Sequence, residues 1–503
     1  MADDATKAPP PILKSLLVYC LHEAAELEQQ LMIQYLYAAF SMKKRPDATC
    51  NDAQYEHVRR WQSTVYMVAR QEMEHLALVN GMLTAIGAEP FFDRQNIPLQ
   101  SPYLLGESLR TEKSLANRPC DIPFMFERFN LATIKRFVCA ESPSEQTLID
   151  AGKRVPKWCF SCKDQPYSST SLAERAKGKV MAQPRMFPLA ESHISEELLA
   201  AGNEELAKHG GPMKAFGGGE SIRPGTIQEL YRIIETLFRF LSVRWNLYTG
   251  NPNQQVFVPI EYQINIFPIT DLSSTLTALR LIVEEGEGIT APPDFQSHFE
   301  RFYDVHDDLE GVLKDDPGFE PSLPLPENPR GDQITDLFAK ELFDLFNYTY
   351  ASLLFVLTSL YARYQPSSSQ SYPYFSSALQ ENAFGPIMTM LLRPIAEIMA
   401  HTASGDGKHT TGANFEISAD DRASLHDPSK LGNIEFFLGR LEEITRRLGQ
   451  LSGVNLAAVA RTPADVPFLD RQLRFVYESA AAMTNNMRRI YQMGQLPQFI
   501  VAP

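Results

Sequence analysis

Apolar residues recur at steps of three and four along the first part of the chain, the spacing that lines one face of an α-helix. Leu13, Leu16, Leu17, Cys20, Leu21, Ala24, Leu27, Leu31 and Tyr35 predict a helix from Leu13 to about Ser41. Val58, Trp61, Val65, Val68, Ala69, Leu76, Val79 and Leu83 predict a second from about Gln54 to Ile86, stopped by Gly87 and Pro90. Ile227, Leu230, Tyr231, Ile234, Leu237, Phe238 and Leu241 predict a third beginning at Thr226, and Leu276, Leu279 and Val283 a fourth from about Asp271 to Gly288. Between the second and third, from about 91 to 222, Pro, Gly and Ser are frequent. Short apolar runs stand around Phe124–Phe137, and a short helix is expected from Ser195 to Ala207. After a Pro-rich segment, Asp315 to Arg330, helical patterns resume at Thr335–Tyr364, Ala383–His401, about 430–451 and 467–494. A few short strands are expected around Gln255–Ile266.

The fold class is therefore mainly α: a four-helix bundle with a long middle insertion and an additional C-terminal helical region. The expected organisation is a flexible N-terminus at 1–12 and a bundle at 13–314 with its insertion at about 91–222. A linker at 315–330 and a C-terminal region at 331–503 that packs on the bundle complete it.

Charged residues that interrupt the stripes carry the chemistry. Glu28 lies between Leu21 and Ala24 on one side and Leu31 and Tyr35 on the other, where the core belongs. A carboxylate there needs a partner, a proton or a metal. His22, Glu23, Glu26, Gln29 and Gln30 take the opposite face and are expected in solvent. Glu72 falls on the second stripe and His75 lies one turn on. Glu-x-x-His is the spacing from which helix bundles build carboxylate-bridged di-metal centres; a Glu and His bonded to each other or to a neighbour account for the same pair. Glu229 is either a ligand on the third helix or the returning residue of a capping box with Thr226. Glu287 continues the fourth stripe between Gly286 and Gly288, with Glu284 and Glu285 to its side, and a short loop delivers His298. Glu28, Glu72, His75, Glu229, Glu287 and His298 together form an oxygen and nitrogen donor set suited to iron or manganese. A second tight Glu-x-x-His is missing, because Glu284-x-x-Glu287 stands in its place. Tyr35, Tyr66 and Tyr231 suit either a chamber wall or the core.

Hydrophobic residues at 44% and charged residues at 21% make an ordinary globular composition. A net charge of -14 argues against a nucleic-acid surface. The acidic start, Met1-Ala2-Asp3-Asp4, lacks a secretory signal pattern, and no uninterrupted apolar run reaches the roughly 18 to 20 residues that span a bilayer. These features predict a cytoplasmic protein with neither nucleic acid nor membrane as partner. Phosphate-binding Gly-rich loops, dinucleotide motifs and nucleophile arrangements are absent from the sequence. Of six cysteines, Cys120, Cys139, Cys159 and Cys162 fall in one region. A structural zinc at Cys159 and Cys162 lacks a second short-spaced pair, so free or redox thiols are the preferred reading.

At these residues the chain resembles the ferritin-like domain family of iminophenyl-pyruvate dimer synthase proteins, of violacein-type pathways. The resemblance lies in Leu27-Glu28 with Tyr35-Leu36-Tyr37-Ala38-Ala39-Phe40-Ser41, in Gln71-Glu72-Met73-Glu74-His75 with Gly87-Ala88-Glu89-Pro90, and in Thr226-Ile227-Gln228-Glu229-Leu230-Tyr231. It continues in Glu285-Gly286-Glu287-Gly288, Ser297-His298-Phe299, Arg393-Pro394-Ile395-Ala396 and Gly412-Ala413-Asn414-Phe415-Glu416. Glu285 stands where the family usually has Gln, and Asn414 where Pro is common. The resemblance implies a ferritin-like bundle with two iron ions, or manganese, at Glu28, Glu72, His75, Glu229, Glu287 and His298. It raises Glu229 above the cap reading and makes Glu72 and Glu229 the catalytic carboxylates. It further implies an O2-dependent oxidase or oxygenase acting on a small, amino-acid-derived substrate, with oxidative imine coupling as the family's example. Electrons would come from that substrate or an external reductant. The rival reading is a metal-binding or helical scaffold without catalysis.

Overall fold

A computed structural model of the chain describes residues 7–98, 124–143, 145–159, 196–209, 227–258, 264–286, 288, 295–362, 375–383 and 385–495. The described residues are mainly α-helical, in two compact units. One comprises Met1–Ala39, Lys43–Met125 and Phe129–Pro321; the other Phe40–Met42, Phe126–Arg128 and Ser322–Pro503.

The first unit holds α1 (Pro11–Ser41), α2 (Asp52–Ala85), α3 (Leu131–Ala140), α4 (Glu145–Asp150), α5 (Glu196–Lys208), α6 (Ile227–Arg244), α7 (Leu272–Gly286) and α8 (His298–Asp315). Pro11 suits the start of α1, since its fixed φ and missing N–H cost nothing there. Asn51 caps α2 in a reciprocal box with Gln54. At the far end Gly87, at φ +69°, lets the Ala88 N–H reach the Leu83 carbonyl (2.9 Å) and the Gly87 N–H that of Thr84 (3.1 Å). Gly250 runs against this terminus so closely that a Cβ would lie 1.8 Å from the Thr84 oxygen.

Several expectations need correction. Glu23, Glu26, Gln29 and Gln30 are buried. Glu26 accepts the Gln95 N–H, Gln30 donates to the Gln95 carbonyl, and Gln34 accepts the Met125 N–H, so flanking segments replace solvent on this face. His298 is not in a loop: it opens α8, behind a Ser297 cap that forms a box with Glu300. The apolar run near Phe124–Phe137 contains α3, whose Ile134, Phe137 and Val138 are buried. Among the described residues of the stretch expected to form strands there is one isolated bridge, Val258 to Ile266. Cys159 is joined to Cys139 in a disulfide, so its sulfur cannot serve a zinc ion while the bridge stands; Cys162 lies outside the described residues. A disulfide is also uncommon in the reducing cytoplasm expected from sequence.

The second unit contains α9 (Leu337–Ala362), α10 (Phe375–Ala383), a π-helical turn at Ile387–Leu392, α11 (Arg393–Ala400), α12 (Ala419–Leu425), α13 (Ile434–Leu451), α14 (Leu456–Val459) and α15 (Val466–Gln495). Two of its stretches, Leu337–Ala362 and Ala378–Ala400, are long and apolar enough to cross a membrane by length and mean composition, although charged residues interrupt both; their most apolar windows are 83% and 65% buried within the protein. Burial as core helices accounts for that apolarity. Arg440 ties the unit together, donating to Ser352 Oγ (2.7 Å), Asp421 Oδ1 (2.9 Å) and the Tyr348 carbonyl (2.9 Å).

Candidate metal centre

Five donor residues converge inside the first unit. Glu28 comes from α1, Glu72 and His75 from α2, Glu141 from the cap that ends α3, and His298 from the first position of α8; none is more than 4% exposed. Donor atoms of Glu28, Glu72 and His75 lie within 4.8 Å of one another, as do those of Glu72, Glu141 and His298, so Glu72 belongs to both groups. The imidazole rings of His75 and His298 stack with centroids 5.4 Å apart. Tyr231 on α6 donates its hydroxyl to Glu28, and Tyr35 on α1 donates to Glu141. Leu31, Ile227, Ile282 and Val283 form the apolar wall of the cavity.

So many carboxyl groups cannot all be ionised out of water without compensation. Burial, reinforced by the charge of Glu72, pushes Glu28 up to about 8. The same two causes hold Glu141 well above the usual carboxyl range. Burial would also raise Glu72, but His298 and His75 outweigh it and keep that carboxylate well below its ordinary value. For His75, burial favours the neutral ring, yet hydrogen bonds to Glu28, Glu285 and Glu72 overcome it and raise the imidazole well above its usual range. Protons on Glu28, Glu141 and His75 thus hold the place of cationic charge.

The residues fit a metal. Glu72 Oε1 and His298 Nδ1 are 2.9 Å apart and fully enclosed, yet neither has a partner in hydrogen-bond geometry. Two facing ligand atoms left unsatisfied in a native interior call for a third body. Carboxylate oxygen with imidazole nitrogen is a donor set for iron, manganese or zinc rather than for soft metals.

Of the sequence-derived candidates, Glu28, Glu72, His75 and His298 come together. The side chain of Glu229, on α6, and the whole of Glu287 lie outside the described residues. Tyr66 is half-buried beneath the Lys44 ammonium and takes no part. Glu284 is directed toward Arg280, at 4.0 Å. Two residues were missed. Glu141 continues the Ile134, Phe137, Val138 stripe, a signal hidden by the Ser142-Pro143 that follows. Glu285, placed to the side of its helix, is buried and lies 3.0 Å from His75 Nε2.

Dichlorochromopyrrolate synthase of Lentzea aerocolonigenes is 26% identical over 90% of this chain and 39% of its own length. The 2-imino-3-(indol-3-yl)propanoate dimerase of Chromobacterium violaceum is 24% identical over 85% of this chain and 36% of its own. The chain therefore spans about two-fifths of the length of these relatives. A ferritin-like protein from Caulobacter vibrioides superposes over 76% of this chain and 94% of its own, at 15% identity and a TM-score of 0.37, too loosely to carry an argument. A family profile described as Ferritin-like matches residues 21–307, which include every donor residue of the centre. That match runs over more than half of the sequence, and the chain belongs to the Ferritin-like family.

Proposed function

We propose that the chain is a di-metal oxidoreductase that uses O2 to oxidise a small amino-acid-derived molecule, its reaction being the oxidative dimerisation of an indole-bearing α-imino acid. The observation that carries this reading is the pair of buried donor groups sharing Glu72. Glu28, Glu72, His75, Glu141 and His298 would hold the two ions, with Glu229 and Glu287 completing the set. When bound, ferrous iron supplies the one-electron chemistry that lets O2 react with an organic molecule. Glu28 and Glu141, held protonated by burial, would have to give up those protons to serve as ligands, which makes their oxygens the proton stores nearest the site. Tyr231 and Tyr35 hold those two carboxyl groups in place. The apolar wall excludes water, which strengthens each charge interaction within.

The substrate class is supported by the two relatives, one named as the synthase of a chromopyrrolate and the other as a dimerase of an indolyl imino acid. Joining two such molecules by one C–C bond removes two electrons and two protons, which O2 accepts to give hydrogen peroxide. Substrate electrons then suffice without an external reductant. The test is oxygen uptake by iron-loaded protein supplied with the imino acid freshly made from L-tryptophan. We expect uptake with a product of twice the monomer mass less two hydrogens, abolished in Glu72→Ala. Full iron loading with no uptake above the iron-free control would leave a metal-binding scaffold as the better description.

A further inference from the structure

The two histidines of the centre are anchored by different chemistry. His75 turns Nδ1 toward Glu72 (3.2 Å) and Glu28 (3.4 Å) and Nε2 toward Glu285 Oε2 (3.0 Å). His298 turns Nδ1 toward Glu72 (2.9 Å) and Glu141 (3.9 Å) and Nε2 toward Gln71 Oε1 (3.2 Å). Each ring offers the same nitrogen to the centre and ties the other to an outer side chain. One of those outer groups is an anion and the other a neutral amide.

The described surroundings are otherwise similar, and the two outer groups meet: Gln71 also hydrogen-bonds Glu285, whose charge, of the two rings, lies in direct contact only with His75. Each half has one imidazole, a share of Glu72, and one carboxyl group held by a tyrosine, Glu28 by Tyr231 and Glu141 by Tyr35. The outer residues break the symmetry. A carboxylate accepting the N–H of a ligating imidazole fixes the ring and raises the basicity of the opposite nitrogen, whereas an amide oxygen fixes the ring with far less charge. Glu285 also adds negative charge beside His75, in an interior where screening is weak.

We infer that the two metal positions are unequal and that Glu285 is the positioning residue that makes them so. The position between Glu28, Glu72 and His75 fills first and holds its ion more tightly than the position between Glu72, Glu141 and His298. Limiting metal should therefore give chains carrying one ion, rather than a mixture of empty and fully loaded chains. This inference rests on the di-metal reading above.

The experiment is an anaerobic titration of the metal-free 503-residue chain with Fe(II) alone, counted by equilibrium dialysis and elemental analysis. A parallel Mn(II) titration is read by electron paramagnetic resonance, which distinguishes a lone bound ion from a magnetically interacting pair. Wild type should show two resolved steps. Glu285→Gln should weaken the first step by about 10- to 100-fold, and Gln71→Glu should tighten the second by a similar factor. Far-UV circular dichroism checks folding, and if Glu285→Gln does not fold, the Gln71→Glu step decides. Two equal steps in wild type, or two steps unmoved by a folded variant, would overturn the inference alone. A wild type that binds neither ion would overturn the di-metal reading as well.

Discussion

At the scale of single residues, protons occupy the metal-free centre, and their bookkeeping has a defined sign. Glu28 titrates at about 8 in the folded chain against 4.5 ordinarily, so its contribution to stability is complete below about 4.5 and is lost as pH rises through about 8. His75 is also raised, so its contribution is complete below its ordinary 6.5 and fades at higher pH. Glu72 has the opposite sign: its contribution is present above its ordinary 4.5 and is lost as pH falls below that toward its lowered value. Metal-free protein should melt at lower temperature at about pH 9 than at about pH 6, with a shallower decline in Glu28→Gln. Metal entry must expel the same protons, so Mn(II) affinity should rise over that range, with proton uptake by a weakly buffered indicator as the readout. Affinity flat with pH would show that these groups are not displaced. Tyr231→Phe leaves a buried carboxyl short of one hydrogen bond and should cost about 1–3 kcal/mol in denaturant unfolding of the metal-free protein.

At the scale of elements, glycine marks where backbone approaches backbone. Gly250→Ala would press a methyl group into the Thr84 carbonyl at the end of α2, so the Gly250 segment or the helix end must shift. The expected loss is about 1–3 kcal/mol or more. Gly439, exposed within α13, has nothing within 4 Å of the same added atom. Gly439→Ala should therefore stabilise by about 0.5–1 kcal/mol through helix propensity. Urea unfolding of both variants separates the two effects by sign. Equal shifts would mean that the close approach at Gly250 does not exist in solution. Caps matter to the centre as well as to stability: the Ser297 and Glu300 box fixes where α8 begins, and His298 is its first residue.

At the scale of the whole molecule, the Cys139–Cys159 bridge closes a loop with a sequence separation of 20 that contains Glu141. Chain-entropy arguments give such a loop about 3 kcal/mol, so reductant should lower the melting temperature of wild type and leave Cys139→Ser unmoved. Insensitivity of wild type would mean that the bridge is not formed in solution. The helices and much of the centre were legible in the chain itself, because helical period and caps are local properties. A charged side chain on an apolar stripe, as at Glu28 and Glu72, already demands compensation. Glu141 carried the same signal on a shorter stripe, and the Ser and Pro beside it made the segment look like a loop. Tertiary structure alone decided the rest. The polar side of α1 reads as solvent-facing until Gln95 and Met125 are brought against it. Glu285 lies off the stripe of its own helix and gains its role only because α2 presents His75 there. Which nitrogen of each histidine faces the carboxylates, and which cysteines pair, depend on contacts between segments far apart in sequence. Periodicity reports how a segment meets an apolar environment, and it carries no information about which partners occupy that environment.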